Sequence, residues 1–175
     1  MSARPERIAA ACPCAAVVGS ASALKDMSPE DQLDEFISKY TPEIAAQTRA
    51  ILAKMRASLP GAVELVYDNY NALVIGFGPS ERASDAVFSI AVYPRWINLF
   101  FLRGGRLPDP ERLLKGSGKS VRRMVVNEPN TLDIPAVRTL MAHALKRAPQ
   151  PFDPRQLNRI AIKSISARQR PRRPV

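Results

Sequence analysis

The chain predicts one α+β domain: an antiparallel sheet of five to six strands packed against helices, with two N-terminal helices and one C-terminal helix. Three observations carry this. Two capped amphipathic stretches run in series from Ser28 to Leu59, and the apolar period changes to two at Ala62. The β-rich runs that follow are joined by connections too short for parallel crossovers. A length of 175 residues at 46% hydrophobic composition suits one core rather than two. No segment reaches the roughly 20 apolar residues that span a bilayer.

Residues 1–27 read as a poorly ordered leader, and two accounts of it stand. Arg4 and Arg7 ahead of Ile8–Val18, then Ser20-Ala21-Ser22-Ala23, outline a signal peptide. The alanine content, Pro13 and the lack of a disulfide pair favour Met27 as the true start. Ser28 is a good N-cap, Pro29 suits the first helical position, and Asp31 completes an S-x-x-D box. Leu33, Phe36, Ile37 and Tyr40 then share a helix face. Thr41-Pro42-Glu43 repeats the start signal, and Ile44, Thr48, Ile51, Leu52, Met55 and Leu59 form a second stripe, stopped by Pro60-Gly61.

Val63, Leu65 and Tyr67 alternate with their neighbours as a strand, Asn69-Tyr70-Asn71 turns the chain, and Ala72–Phe77 returns. Gly78–Asp85 reads as a loop. Ala86–Tyr93 and Trp96–Leu102 form a hairpin about Pro94-Arg95. Leu107–Leu114 reads as a loop leading to a short helix, Ser120–Val126 as a strand, and Ile134–Arg147 as a helix capped by Asp133 with Pro135 in its first turn. The domain thus spans 28–150, and 151–167 forms an extension in which the Ile and Ser content of Arg159–Ser166 favours a strand. Residues 168–175 hold too little apolar content to bury and predict a disordered basic tail.

The net charge of +10 is localised. Residues 28–106 hold nine acids and eight bases, whereas seven bases after Phe152 meet only Asp153. Arg168, Arg170, Arg172 and Arg173 would give the tail weak, nonspecific affinity for nucleic acid phosphates. Cys12 and Cys14 stand too close together to staple a fold, so a reducing cytoplasm is the expected location.

One stretch is specific enough to carry a family likeness. It runs Ile97-Asn98-Leu99-Phe100-Phe101-Leu102-Arg103-Gly104-Gly105, then Leu107-Pro108-Asp109-Pro110, then Leu113 through Arg123 with its G-x-G-K-x-x-R core. Together with Leu132-Asp133-Ile134-Pro135, it resembles the YdhG-like family, a bacterial domain of unknown function, over about residues 29–147. The resemblance implies an antiparallel sheet covered by helices on one side. One branch of the family is linked to a frataxin-like role in intracellular iron delivery. No catalytic residues carry over.

Two clusters invite chemistry. Lys115-Gly116-Ser117-Gly118-Lys119-Ser120 looks like a P-loop, but Leu113 stands where glycine is required and the order of elements is reversed. A simpler anion site at Gly116, Ser117, Gly118, Lys119 and Arg122 survives, beside the alternative of a solvated turn. Asp31, Asp34 and Glu35 share a face of the first helix in a pattern that hard cations such as iron accept. Acids there also simply complement the helix dipole. The only histidine, His143, has no evident partner. Tyr67, Tyr70, Tyr93 and Trp96 can line a pocket near the sheet, although strand aromatics usually belong to the core. The sequence therefore favours a non-enzymatic binding or adaptor domain of unknown ligand, without a resident cofactor. A frataxin-like iron chaperone and a nucleic-acid-associated protein are the alternatives.

Overall fold

The computed structural model describes residues 27–174. The expectations for residues 1–26, including Cys12 and Cys14, lie outside them. Two helices, α1 (Pro29–Ser38) and α2 (Pro42–Ser58), lead into strands β1 (Val63–Asp68), β2 (Leu73–Gly78), β3 (Phe88–Val92), β4 (Ile97–Phe101) and β5 (Arg122–Val125). Helix α3 (Pro135–Lys146) and strand β6 (Arg159–Ile165) follow. The strand order is β5-β4-β3-β2-β1-β6. No helix among the described residues is long and apolar enough to cross a membrane.

Both leading helices start as their caps dictate. The Ser28 hydroxyl accepts the Asp31 N–H at 3.2 Å and donates to the Asp31 carboxylate at 2.6 Å. Thr41 accepts the Ile44 N–H at 3.4 Å. Leu33, Phe36 and Ile37 of α1 and Ile44, Ile51, Leu52 and Met55 of α2 are buried, as the apolar stripes require. They pack on the inner face of the sheet, where alternation places Val66, Ile75, Phe77, Phe88, Ile90 and Leu99 in the same core.

β1 through β5 pair antiparallel in sequence order, as the short connections demand. β6 instead lies parallel to β1, so the sheet is mixed. The short-connection rule concerns neighbours in sequence, whereas the whole domain separates β1 from β6. Gly61, at φ +79°, sets the alignment: its N–H donates to Asn158 Oδ1 at 2.7 Å, and a Cβ there would collide with the Asp153 carbonyl. The Arg159 N–H then meets the Ala62 carbonyl at 3.1 Å.

Two local expectations are corrected. Asp133 does not cap α3; Ile134 occupies that position without a side-chain bond, and Asp133 pairs with Lys54 of α2. No helix forms at the end of Leu107–Leu114, because the Asp109 carboxylate accepts the Leu113 and Leu114 N–H groups at 2.9 and 2.8 Å and holds them as a turn.

The largest correction concerns residues 168–174, which lie against the domain instead of forming a disordered tail. Asp68 ends β1 on the inner face with 1% exposure. Its carboxylate accepts from Lys39 Nζ at 2.8 Å, Gln169 Nε2 at 2.6 Å and Arg172 Nη2 at 2.8 Å. Arg172 is 5% exposed and its guanidinium stands 5.6 Å from the Tyr40 ring centroid. Arg170 N–H donates to the Tyr70 carbonyl at 2.9 Å, and Arg173 Nε to the Tyr40 carbonyl at 3.2 Å. Low apolar content does not reveal a segment held by a buried charge that needs partners.

Tyr40 joins these parts. Its hydroxyl donates to the Val92 carbonyl at 2.8 Å and accepts the Leu73 N–H at 2.9 Å. Burial pushes its pKa up to about 12, partly offset by the Leu73 bond and Arg172. The folded value lies above the unfolded one of about 10, so this contribution is complete below about pH 10 and lost on passing about 12. Tyr40→Phe should cost about 1–3 kcal/mol at neutral pH, and its deficit against the parent should shrink as denaturant titrations move from about pH 10 to 12. A deficit that stays constant across that range would contradict this assignment.

Arg172→Ala, or removal of 168–175, should lower stability by about 2–4 kcal/mol, measured by urea unfolding. With Asp68→Asn the losses should be strongly non-additive. An unchanged midpoint on truncation would restore the disordered tail.

Candidate functional site

The outer face of the sheet, away from the helices, differs along its width. Over β1 and β2 it is covered by the loop from Pro79 to Val87, which the pairing of Lys163 with Glu81 at 3.0 Å ties to β6. Gly78 leaves room there for Ala86: a Cβ at Gly78 would lie only 3.0 Å from the Ala86 Cα. Over β3, β4 and β5 the outer face is open at one end.

That end is organised by the β3–β4 hairpin. Tyr93 N–H donates to the Trp96 carbonyl at 2.9 Å, leaving Pro94 and Arg95 as the tip. Strand alternation sends Tyr93 and Trp96 outward, with ring centroids 5.3 Å apart at 25°. Trp96 keeps 47% of its surface exposed.

Asn98 lies two residues further along β4, opposite Ala91 of β3 and Val125 of β5. It is 5% exposed, and its Oδ1 has no hydrogen-bond partner among the described residues. Tyr93, Trp96, Asn98, Arg123 and Val125 line one depression of about 430 Å³. A second, of about 790 Å³, lies between the aromatic pair and the C-terminal segment, with Asn71, Arg95, Arg170 and Arg173 on its walls. The aromatic pair borders both, and among the described residues no side-chain carboxylate lines either. The anchoring of Arg172 on Asp68 thus positions one wall of the larger depression.

The sequence singled out Tyr67, Tyr70, Tyr93 and Trp96 together, and the structure joins only the last two. Tyr70 is exposed at the β1–β2 turn and Tyr67 half-buried on β1. Asn98 was not read as a binding residue, although its signal was present: a polar residue at an outward position of an otherwise apolar strand.

The glycine loop has a different character. Lys115 bridges to Arg123 through two backbone bonds of 2.7 and 2.9 Å, and Gly116 adopts φ +126°. Arg122 turns its guanidinium onto carbonyls of its own loop, those of Gly118 and of Val121 at 2.9 Å. Gly116, Ser117, Gly118 and Lys119 are exposed. The loop also packs closely on the 3₁₀ turn Gly104–Arg106, where Gly105 N–H donates to Ser120 O at 2.8 Å.

On α1, three of the four acids are engaged by bases or caps. Arg49 Nε meets Asp34 at 2.6 Å, and this hydrogen bond holds the Asp34 carboxyl below its ordinary pKa. Arg56 Nη1 meets Glu30 at 2.8 Å, and Asp31 takes the Ser28 hydroxyl; Glu35 is exposed. Among the described residues no group of three or more His, Cys, Asp or Glu is placed to hold a metal ion. His143 is half-buried in α3.

Comparison with family models, with curated proteins and with solved structures yields no match to this chain. The chemistry of the cleft must therefore be derived from its own residues. It offers an aromatic face, an amide and guanidinium groups, a set that binds a flat polar ligand, and among its lining residues no nucleophile stands beside a base.

A buried acceptor without a partner costs stability. Asn98→Leu should accordingly leave the melting temperature unchanged or raise it, by up to about 1 kcal/mol of stability, as calorimetry would show. A marked fall would mean the amide is a structural element of the sheet.

Proposed function

We propose that this chain is a YdhG-like, non-enzymatic binding domain of the cytoplasm whose ligand lies on the outer face of the sheet, against Tyr93 and Trp96. The observation that carries the proposal is Asn98: a polar residue 5% exposed, its Oδ1 unpartnered among the described residues, in a depression walled by the half-buried Tyr93 and the exposed Trp96. Structural residues buried on an apolar sheet are usually apolar or satisfied, and departures from that pattern concentrate where a ligand completes the bonding. The resemblance from Ile97 to Arg123 spans β4 and β5, the strands that contribute Asn98, Arg123 and Val125. The iron alternative is weakened by the pairing of Asp34, the middle acid of the candidate set, with Arg49, and of the neighbouring Glu30 with Arg56.

Trp96 is the only tryptophan, so its emission reports on this site alone. A panel of nucleotides, short oligonucleotides, acidic peptides and aromatic carboxylates should contain a class that shifts Trp96 emission and raises the melting temperature by linkage to the folded state. Asn98→Leu should need a higher ligand concentration for both responses while folding normally. If no class moves either signal, the outer-face site is wrong.

A further inference from the structure

The residues around the aromatic pair also define the class of ligand, and we infer that the cleft holds single-stranded nucleic acid, one base stacked on Trp96. The inference rests on the binding-domain reading above. Its first support is charge. Arg123 lies in the smaller depression and Arg95, Arg170 and Arg173 line the larger one, so cations stand on both sides of the stacked rings with no acidic side chain among the described lining residues. Among the described residues Arg95, Arg123 and Arg170 form no ion pair. An acidic peptide would satisfy these cations but gives no role to an exposed indole and an unpartnered amide. A lone phosphate compound meets one depression and leaves the other.

A strand of alternating phosphates and flat bases matches the alternation of guanidinium, aromatic and guanidinium across the surface. Base stacking on an aromatic side chain is tolerant of sequence, and it requires an unpaired base, since duplex stacking hides the ring faces. The second support is Asn98. A carboxamide presents an acceptor and a donor side by side, the arrangement that reads a base edge, and its Oδ1 has no partner among the described residues, a lack shared only by two nitrogens of Arg172 among their buried side-chain atoms. The third is the C-terminal segment. Arg172 is consumed by Asp68, and its neighbours Arg170 and Arg173 are thereby placed on the groove wall. Binding through this segment is therefore a property of a formed groove and differs from attraction to a free basic tail.

The full chain is titrated with an oligothymidylate and an oligouridylate of about ten nucleotides, a length within the usual footprint of such surfaces. A duplex of equal length, inorganic polyphosphate and oligoglutamate serve as comparisons. Both single strands should quench Trp96 emission with saturation, and the duplex and polyphosphate should bind at least about tenfold more weakly without quenching. Labelled-strand anisotropy should show about a tenfold loss for Trp96→Ala, with recovery in Trp96→Phe. Arg95→Gln, Arg123→Gln and Arg170→Gln should each lower the slope of log affinity against log salt by about 0.7. Asn98→Leu should bind more weakly and lose any preference between bases, while unfolding no earlier than the parent.

Equal affinity of Trp96→Ala and parent, or equal affinity for polyphosphate, would overturn the inference in favour of plain charge attraction. Quenching by oligoglutamate and not by either strand would also overturn it, while leaving the outer-face site standing. Silence of Trp96 toward every ligand would remove both.

Discussion

Asp68 carries a carboxylate at the inner end of β1, where water does not reach, and a charge so placed persists only if cations and donors are brought to it. Three residues from two distant parts of the chain answer that demand: Lys39 from the end of α1, and Gln169 and Arg172 from the C-terminal segment. The acid therefore acts as a clamp between the first helix, the central sheet and the last residues. Tyr40 lies beside it, fastened to β2 through the Leu73 N–H and to the end of β3 through the Val92 carbonyl. A second inner-face acid on the same strand, Glu64, receives both Nε and Nη2 of Arg56 at 2.6 and 2.9 Å and ties α2 in the same manner. Burial of apolar area holds the layers together, and the two carboxylates fix which helix meets which strand.

The proposed binding cleft depends on this clamp. Its aromatic wall is local, made by a two-residue hairpin tip that any antiparallel pair can carry. Its opposite wall is remote in sequence and stands in place because Arg172 has somewhere to go. Stability and binding meet in one segment, and the buried pair is what joins them.

Much of the architecture was legible in the sequence because it follows from local chemistry. Ser28 and Thr41 announce helix starts through hydroxyls that accept particular N–H groups, and alternation from Val63 onward gives the strand faces. What escaped depends on partners far along the chain. The parallel seating of β6 rests on Gly61 and Asn158, and the order of residues 168–174 rests on an acid about a hundred positions earlier. Asp133 reads as a cap until Lys54, on another helix, engages it. The candidate site divides in the same way. Tyr93 and Trp96 were visible as aromatics flanking a turn. Asn98 became notable only when burial showed an acceptor without a partner. The α1 acids changed meaning once Arg49 and Arg56 were seen to face them.

The parallel pairing of β6 with β1 has a consequence for synthesis of the chain. During translation β1 emerges long before β6, and its outer edge of N–H and C=O groups stays unmatched until β6 leaves the ribosome. A product released early would present that edge, together with an Asp68 lacking Gln169 and Arg172, to any extended segment nearby. In the finished protein the edge role passes to β6, which is poorly suited to recruiting neighbours. Its register breaks opposite the Val66–Tyr67 step, and Arg159 and Lys163 place positive charge along it. Addition of β6 thus replaces a regular open border with a bent and charged one, so a strand made late blunts the edge that an early strand leaves.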